Sequence, residues 1–204
     1  MSLPHREPRK PFSFKETSKE AFGQLLRPLV RLLSALRVRP DTLTILGWAL
    51  SLGSAVLFAL GRAQFAGVVM LLGGLFDSLD GAVARESNRM SAFGAFLDST
   101  LDRLSESVIF VGIVFFYAAS ARPYEALLAG VAMTFSILTS YARARAEGLG
   151  IECQVGLLER AGRVVILSVF SIVGLLTVGL FLVGAGALIT TAQRLLHVRR
   201  AIRE

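Results

Sequence analysis

Cysteine, histidine and charge are all scarce in this chain of 204 residues. The one cysteine, Cys153, has no partner, so no disulfide framework supports the fold. Charged residues make up 18%, against roughly 25% in soluble domains, while hydrophobic residues reach 53% and mean hydropathy is +0.61. A secretory signal peptide is not expected: residues 1–20 are polar and carry Arg6, Arg9, Lys10, Lys15 and Lys19, with no apolar run directly behind them. No internal repeat and no second domain is visible. These deficits point to a bilayer protein. The net charge of +7 lies in segments that flank apolar runs, not in a stripe on a soluble fold, so the expected anionic partner is lipid and not nucleic acid.

The chain divides into a polar basic tail over residues 1–16 and a single membrane domain over 17–204. Its first element is a juxtamembrane helix over 17–37. Phe22, Leu25, Leu26, Leu29, Leu32, Leu33 and Leu36 recur at three- and four-residue spacing with Lys19, Arg27 and Arg31 between them. That pattern predicts an amphipathic helix lying at the membrane interface; packing on protein is the alternative. A spanning helix needs about 20 mainly apolar residues. Six stretches qualify, near Thr42–Leu60, Gln64–Val83, Phe93–Ala119, Tyr124–Ala142, Val164–Leu176 and Val178–Leu196. The fifth is short and is expected to start nearer Arg160, and its junction with the sixth falls near Thr177 and Gly179. The expected fold is therefore an all-α membrane protein of six transmembrane helices behind an interfacial helix. With six spans, 20 of the 22 Lys and Arg residues share one face and only Arg62 and Arg122 lie on the other. The positive-inside rule then puts both termini on the cytoplasmic side of the plasma membrane.

The second and third spans carry four aspartates. Asp77, Asp80, Gly81, Ala84 and Arg85 fall within a helical arc of about 140° at 100° per residue. Asp98 and Asp102 are four apart and share a face with Ser91 and Gly94. Each carboxylate deep in a membrane helix costs at least ~2.5–3.5 kcal/mol. The short connection makes these spans antiparallel neighbours, so the four groups can meet near the cytoplasmic end. Such a cluster repels or protonates unless a cation joins it. Hard oxygen ligands with no Cys or His among them suit Mg²⁺, Mn²⁺ or Ca²⁺ rather than zinc. An ion-pair network with Arg85, Arg89 and Arg103 and the carboxylate pathway of an ion-coupled transporter are the competing readings. The gathering of all four at one end argues against a transport path.

Asp77-x2-Asp80-Gly81-x2-Ala84-Arg85-x8-Gly94-x3-Asp98-x3-Asp102 resembles the signature of the CDP-alcohol phosphotransferase family at all eight specified positions. The resemblance implies a CDP-linked lipid donor, attack of an alcohol on the lipid-side phosphorus, and CMP as leaving group. It implies Mg²⁺ or Mn²⁺, two ions, held by Asp77, Asp80, Asp98 and Asp102, with Asp102 as general base. Gly81, Ala84, Arg85, Ser91 and Gly94 are the implied nucleotide contacts. Pro40-Asp41-Thr42-Leu43-Thr44 is similar to the family segment whose Asp41 and Thr44 positions bind the CDP moiety; helix capping is the competing role for Asp41. The family also implies a homodimer.

The stretches around Tyr141-Ala142-Arg143-Ala144-Arg145-Ala146-Glu147, Glu159-Arg160-Ala161-Gly162-Arg163 and Gln193-Arg194 resemble the branch that makes phosphatidylinositol phosphate or its archaeal ether-lipid counterpart. The resemblance assigns Arg143, Arg163 and Arg194 to the acceptor phosphate. Arg143 stands where the bacterial pattern has Lys. Three cations beside the metal site predict an anionic acceptor, inositol phosphate first and glycerol 3-phosphate second.

Overall fold

The computed structural model describes residues 14–203, with side chains from residue 23 onward. The basic tail expected over residues 1–16 thus lies outside the described residues, apart from its last three, which belong to the first helix. Seven helices follow one another: α1 (Phe14–Ala35), α2 (Pro40–Ala59), α3 (Ala63–Glu86), α4 (Ala92–Ala119), α5 (Pro123–Glu147), α6 (Arg160–Ile172) and α7 (Leu176–Ala201). No strand occurs among the described residues.

Local chemistry sets these boundaries. Pro40 and Pro123 stand at the first turns of α2 and α5, where a missing N–H costs nothing and the fixed φ suits the helix. Six helices end in the same way. Arg37, Gly61, Asn88, Ala121, Gly150 and Gly174 each take a left-handed φ just past a helix end. The next N–H then reaches back to a carbonyl of the last turn, as in Arg62 to Leu57 (2.9 Å), Arg89 to Ala84 (3.0 Å) and Arg122 to Tyr117 (2.9 Å). This satisfies carbonyls a helix end would otherwise strand. Gly174 places the α6–α7 junction three to five residues before the expected Thr177–Gly179, because glycine takes that conformation without a Cβ penalty.

Four helices, α2, α3, α5 and α7, are long and apolar enough to cross a membrane. The six-span expectation is met in that coarser form. Helix α4 has the length, but Asp98, Asp102, Arg103 and Glu106 load its first half. Helix α6 has 13 residues, about 20 Å at 1.5 Å per residue, against a hydrocarbon core of about 30 Å.

Helix α2 is the hub. It packs on α3 and on α4, while α4 also packs on α5, α5 on α7 and α3 on α6. The sequence reading made α3 and α4 direct neighbours; they meet through the carboxylates of Asp77, Asp98 and Asp102, while α2 packs along both. The reason is its small residues: an added Cβ on Gly47 would come 3.3 Å from the Gly73 carbonyl of α3, and one on Gly112 of α4 would come 2.2 Å from the Ala55 carbonyl. Phe58, Phe110, Ile113, Tyr117, Leu167, Leu180 and Val183 fill the core between these helices. A second cluster seats Val30 of α1 on Leu43, Leu79 and Val83.

The Gly112 contact gives a clean test. Gly112→Ala is expected to lower the melting temperature in micelles, at a cost of about 1–3 kcal/mol or more from forced separation of α2 and α4. Gly53→Ala, where a Cβ meets nothing within 4 Å, is the matched control and is expected to leave it unchanged or raised.

Candidate metal centre and substrate cavity

Asp77 lies about two and a half turns from the end of α3, and Asp98 and Asp102 occupy successive turns near the start of α4. One carboxylate oxygen from each of these three lies within 4.8 Å of the others. The convergence expected from their spacing is therefore present. Asp80 departs from it. It is 5% exposed, and its Oδ2 accepts from the Thr44 hydroxyl at 2.7 Å while Oδ1 accepts from the Gly81 N–H at 2.5 Å. It points to α2 and sits beside the three-carboxylate group, not within it.

A guanidinium answers part of the charge. Arg160 Nη1 donates to Asp77 Oδ2 and pairs with Asp102 Oδ1, each at 2.8 Å. Arg103 also lies close enough for its charge to act on Asp98, and two cations against three converging carboxylates, with Asp80 alongside, still leave an excess of negative charge. Oxygen-only donors, with no His or Cys in the group, fit a hard divalent ion such as Mg²⁺ or Mn²⁺.

Beside the carboxylates lies a cavity of about 420 Å³, within the usual range for small-ligand sites. Its lining includes Asp41, Thr44, Gly81, Ala84, Arg85, Ser91 and Gly94, all seven residues expected to hold the CDP moiety, and it reaches Asp80 and Asp98. Each is held there for a local reason. Asp41 is not a cap, since the N-cap of α2 is Arg39; its carboxylate sits in the first turn, where the helix dipole favours it. Ser91 caps α4 by accepting from the Gly94 N–H at 2.9 Å. A Cβ on Gly94 would come 3.0 Å from Ser91 Oγ and 3.5 Å from Asp41 Oδ1, and one on Gly81 would come 3.4 Å from Arg85 Nη1.

Of the three expected acceptor arginines, Arg143 and Arg163 lie close enough to Arg194 for their charges to act on it, and none of the three lines the cavity. Their environments differ. Arg143 is exposed and pairs with Glu147 at 2.8 Å. Arg163 is 2% exposed and forks onto Glu106, at 2.7 and 3.0 Å, with a further bond to Ser140 Oγ at 3.2 Å. Arg194 is 3% exposed and donates to the Val155 and Thr139 carbonyls. With Gln193, which accepts from Leu157 N, and Thr190, which accepts from Leu158 N, Arg194 staples the 148–159 loop to α7.

Two participants were missed by the sequence reading. Glu106 continues the Asp98–Asp102 register by another four residues, and Arg160 stands three before Arg163 on the same face of α6. Both spacings were visible, but pairing between α4 and α6 was not.

Comparison with known proteins follows this geometry. A family model, CDP-alcohol phosphatidyltransferase, matches residues 37–195. An archaetidylinositol phosphate synthase of Methanothermobacter thermautotrophicus is 35% identical, over 88% of this chain and 95% of that protein. A phosphatidylinositol phosphate synthase of Mycobacterium tuberculosis is 35% identical, over 87% of each. Among solved structures, a phosphatidylinositol phosphate synthase of M. tuberculosis with CDP-DAG bound superposes with a TM-score of 0.78 at 33% identity, covering 86% of this chain and 94% of that one. The same enzyme with manganese and citrate gives 0.76 at 34% identity, covering 84% and 87%.

Proposed function

The chain belongs to the CDP-alcohol phosphatidyltransferase family, and on that premise we propose that it transfers a phosphatidyl-type group from a CDP-linked lipid to inositol phosphate, releasing CMP. The observation that carries this reading is the meeting of Asp77, Asp98 and Asp102 at the edge of the cavity lined by Asp41, Gly81 and Arg85. The names of the relatives just described support the acceptor.

In this reading Asp77, Asp98 and Asp102, with Asp80 alongside, hold two divalent ions, which supply charge neutralisation at the diphosphate and the leaving CMP. The cavity residues Asp41, Thr44, Gly81, Ala84, Arg85, Ser91 and Gly94 bind and orient the CDP end, which sets the lipid-side phosphorus beside the carboxylates. The acceptor hydroxyl oxygen forms the new P–O bond as the bond to the CMP oxygen breaks, and Asp102 takes the hydroxyl proton. Arg143, Arg163 and Arg194 supply the positive charge that draws the acceptor's phosphate, Arg143 from an exposed position and Arg163 and Arg194 from buried ones whose donors are engaged by Glu106 and by backbone carbonyls. A guanidinium fork matches that group, and an uncharged alcohol has no use for three cations.

The membrane placement follows. Helices α4 and α6 complete a six-span bundle with α2, α3, α5 and α7, their polar first turns gathered at the cytoplasmic leaflet of the plasma membrane. Helix α1 lies at that interface. Its Leu25, Leu29, Leu32 and Leu36 are exposed while Val30 is seated on α2 and α3, so its apolar stripe serves both lipid and protein. The membrane domain runs from residue 17 onward and assembles as a homodimer, as the family resemblance implies.

Purified protein given CDP-diacylglycerol, Mg²⁺ and either inositol phosphate or glycerol 3-phosphate tests the acceptor. CMP release is expected with inositol phosphate. Release with glycerol 3-phosphate alone would overturn that assignment.

A further inference from the structure

Arg160 holds an unusual seat. It spends a single nitrogen, Nη1, on two carboxylates from different helices, Asp77 Oδ2 and Asp102 Oδ1. Its Nε is buried without a hydrogen-bond partner, which is costly for a charged donor. The guanidinium is thus held by the carboxylate charges and not by a complete set of acceptors. Arg163, one turn further along α6, shows the contrast: its fork meets both oxygens of Glu106 and its remaining donors find Ser140 and backbone carbonyls. Two arginines on one helix face therefore have different standing, one fully satisfied and one loosely tied.

The oxygens that tie Arg160 belong to two of the three carboxylates that converge within 4.8 Å. A guanidinium and a divalent cation draw on the same negative charge, and each weakens the other's hold. We propose that Arg160 is the positioning residue that sets the metal affinity of this site: it competes with the divalent ion for Asp77 and Asp102, and metal binding displaces it from them. The inference rests on the carboxylate reading given above. Until metal binds, Arg160 offsets the repulsion among the carboxylates, which keeps the ends of α3, α4 and α6 together.

The test is Mn²⁺ titration of the purified protein in micelles, with free Mn²⁺ read by electron paramagnetic resonance. Arg160→Gln is expected to bind Mn²⁺ about tenfold more tightly or better, the scale of one lost charge-assisted pair. Arg145→Gln, which removes an exposed charge from the end of α5, is expected to stay within about twofold, since exposed charges are screened. Arg160→Gln is also expected to melt lower without metal and to gain more from added Mn²⁺ than wild type does. Equal or weaker Mn²⁺ binding by Arg160→Gln overturns the proposal. Should that variant not fold, Arg160→Lys carries the test, because lysine keeps the charge but loses the guanidinium geometry. It is expected to bind severalfold tighter, and a Kd at or above wild type overturns the proposal. Asp98→Asn separates the two readings. Its loss of Mn²⁺ binding upholds the carboxylate site even if Arg160 fails, whereas unchanged binding there removes the site and the proposal with it.

Discussion

Asp102→Asn is expected to cut metal-dependent CMP release by about 10²–10⁴-fold, the range for loss of a general base. Asparagine keeps the shape of the side chain but neither takes a proton nor brings a charge to the cluster. Asp102 lies in the third turn of α4, within the three-carboxylate group and 2.8 Å from Arg160, while the cavity for the CDP end is lined from α2, the end of α3, the α3–α4 turn and the start of α4 as far as Asp98, one turn short of Asp102. Donor binding therefore survives the change better than turnover does, and kcat and kcat/KM are expected to fall together. CMP release at saturating CDP-lipid reads this directly. A wild-type rate would remove Asp102 as the base.

Glu106→Ala is expected to be the most destabilising single change in the bundle, at about 3–5 kcal/mol, the cost of leaving one half of a buried ion pair without its partner. Arg163 is 2% exposed and Glu106 7%, and their two bonds are 2.7 and 3.0 Å. Ser140 Oγ and the Ser136 carbonyl accept from the same guanidinium, but neither carries charge. Glu106→Gln keeps an acceptor and is expected to cost less. Pairing Glu106→Ala with Arg163→Met removes both charges and is expected to recover much of the loss, because the penalty comes from the unpaired ion and not from the missing bond. Melting in micelles, with the two single variants and the double one, gives the coupling. Equal loss in the double and the single variant would mean that Arg163 is held by its other acceptors alone.

Much of the site was legible in the residues, and for a physical reason. Spacings of four within α4 and a connection of only five residues leave Asp77, Asp98 and Asp102 little freedom to diverge. The start of α6 at Arg160 was readable for the same reason, whereas the cavity lining came from the family resemblance, since nothing local ties Asp41 and Thr44 of α2 to Gly81, Arg85 and Gly94. What escaped depends on partners far along the chain. The wheel of α3 sets Asp80 beside Asp77, but Thr44 of α2 draws it aside. That α2 packs along both α3 and α4 follows from small residues at Gly47, Ala55 and Gly112 whose pairing no periodicity encodes. The family resemblance assigned Arg194 to the acceptor phosphate; that its donors also reach the Thr139 carbonyl of α5 and the Val155 carbonyl of the 148–159 loop was not legible, since that loop has no helical signal of its own. The span count fell short at α4 because the very aspartates that mark the site lower its hydropathy.

The account turns on whether divalent ions sit among those three carboxylates. Crystals soaked in Mn²⁺ and measured at the manganese edge answer this most directly. Anomalous density is expected between α3 and α4, within coordination distance of Asp77, Asp98 and Asp102, with the Arg160 side chain withdrawn from Asp77 and Asp102. Density confined to other residues, with Arg160 still bridging the two aspartates, would contradict it.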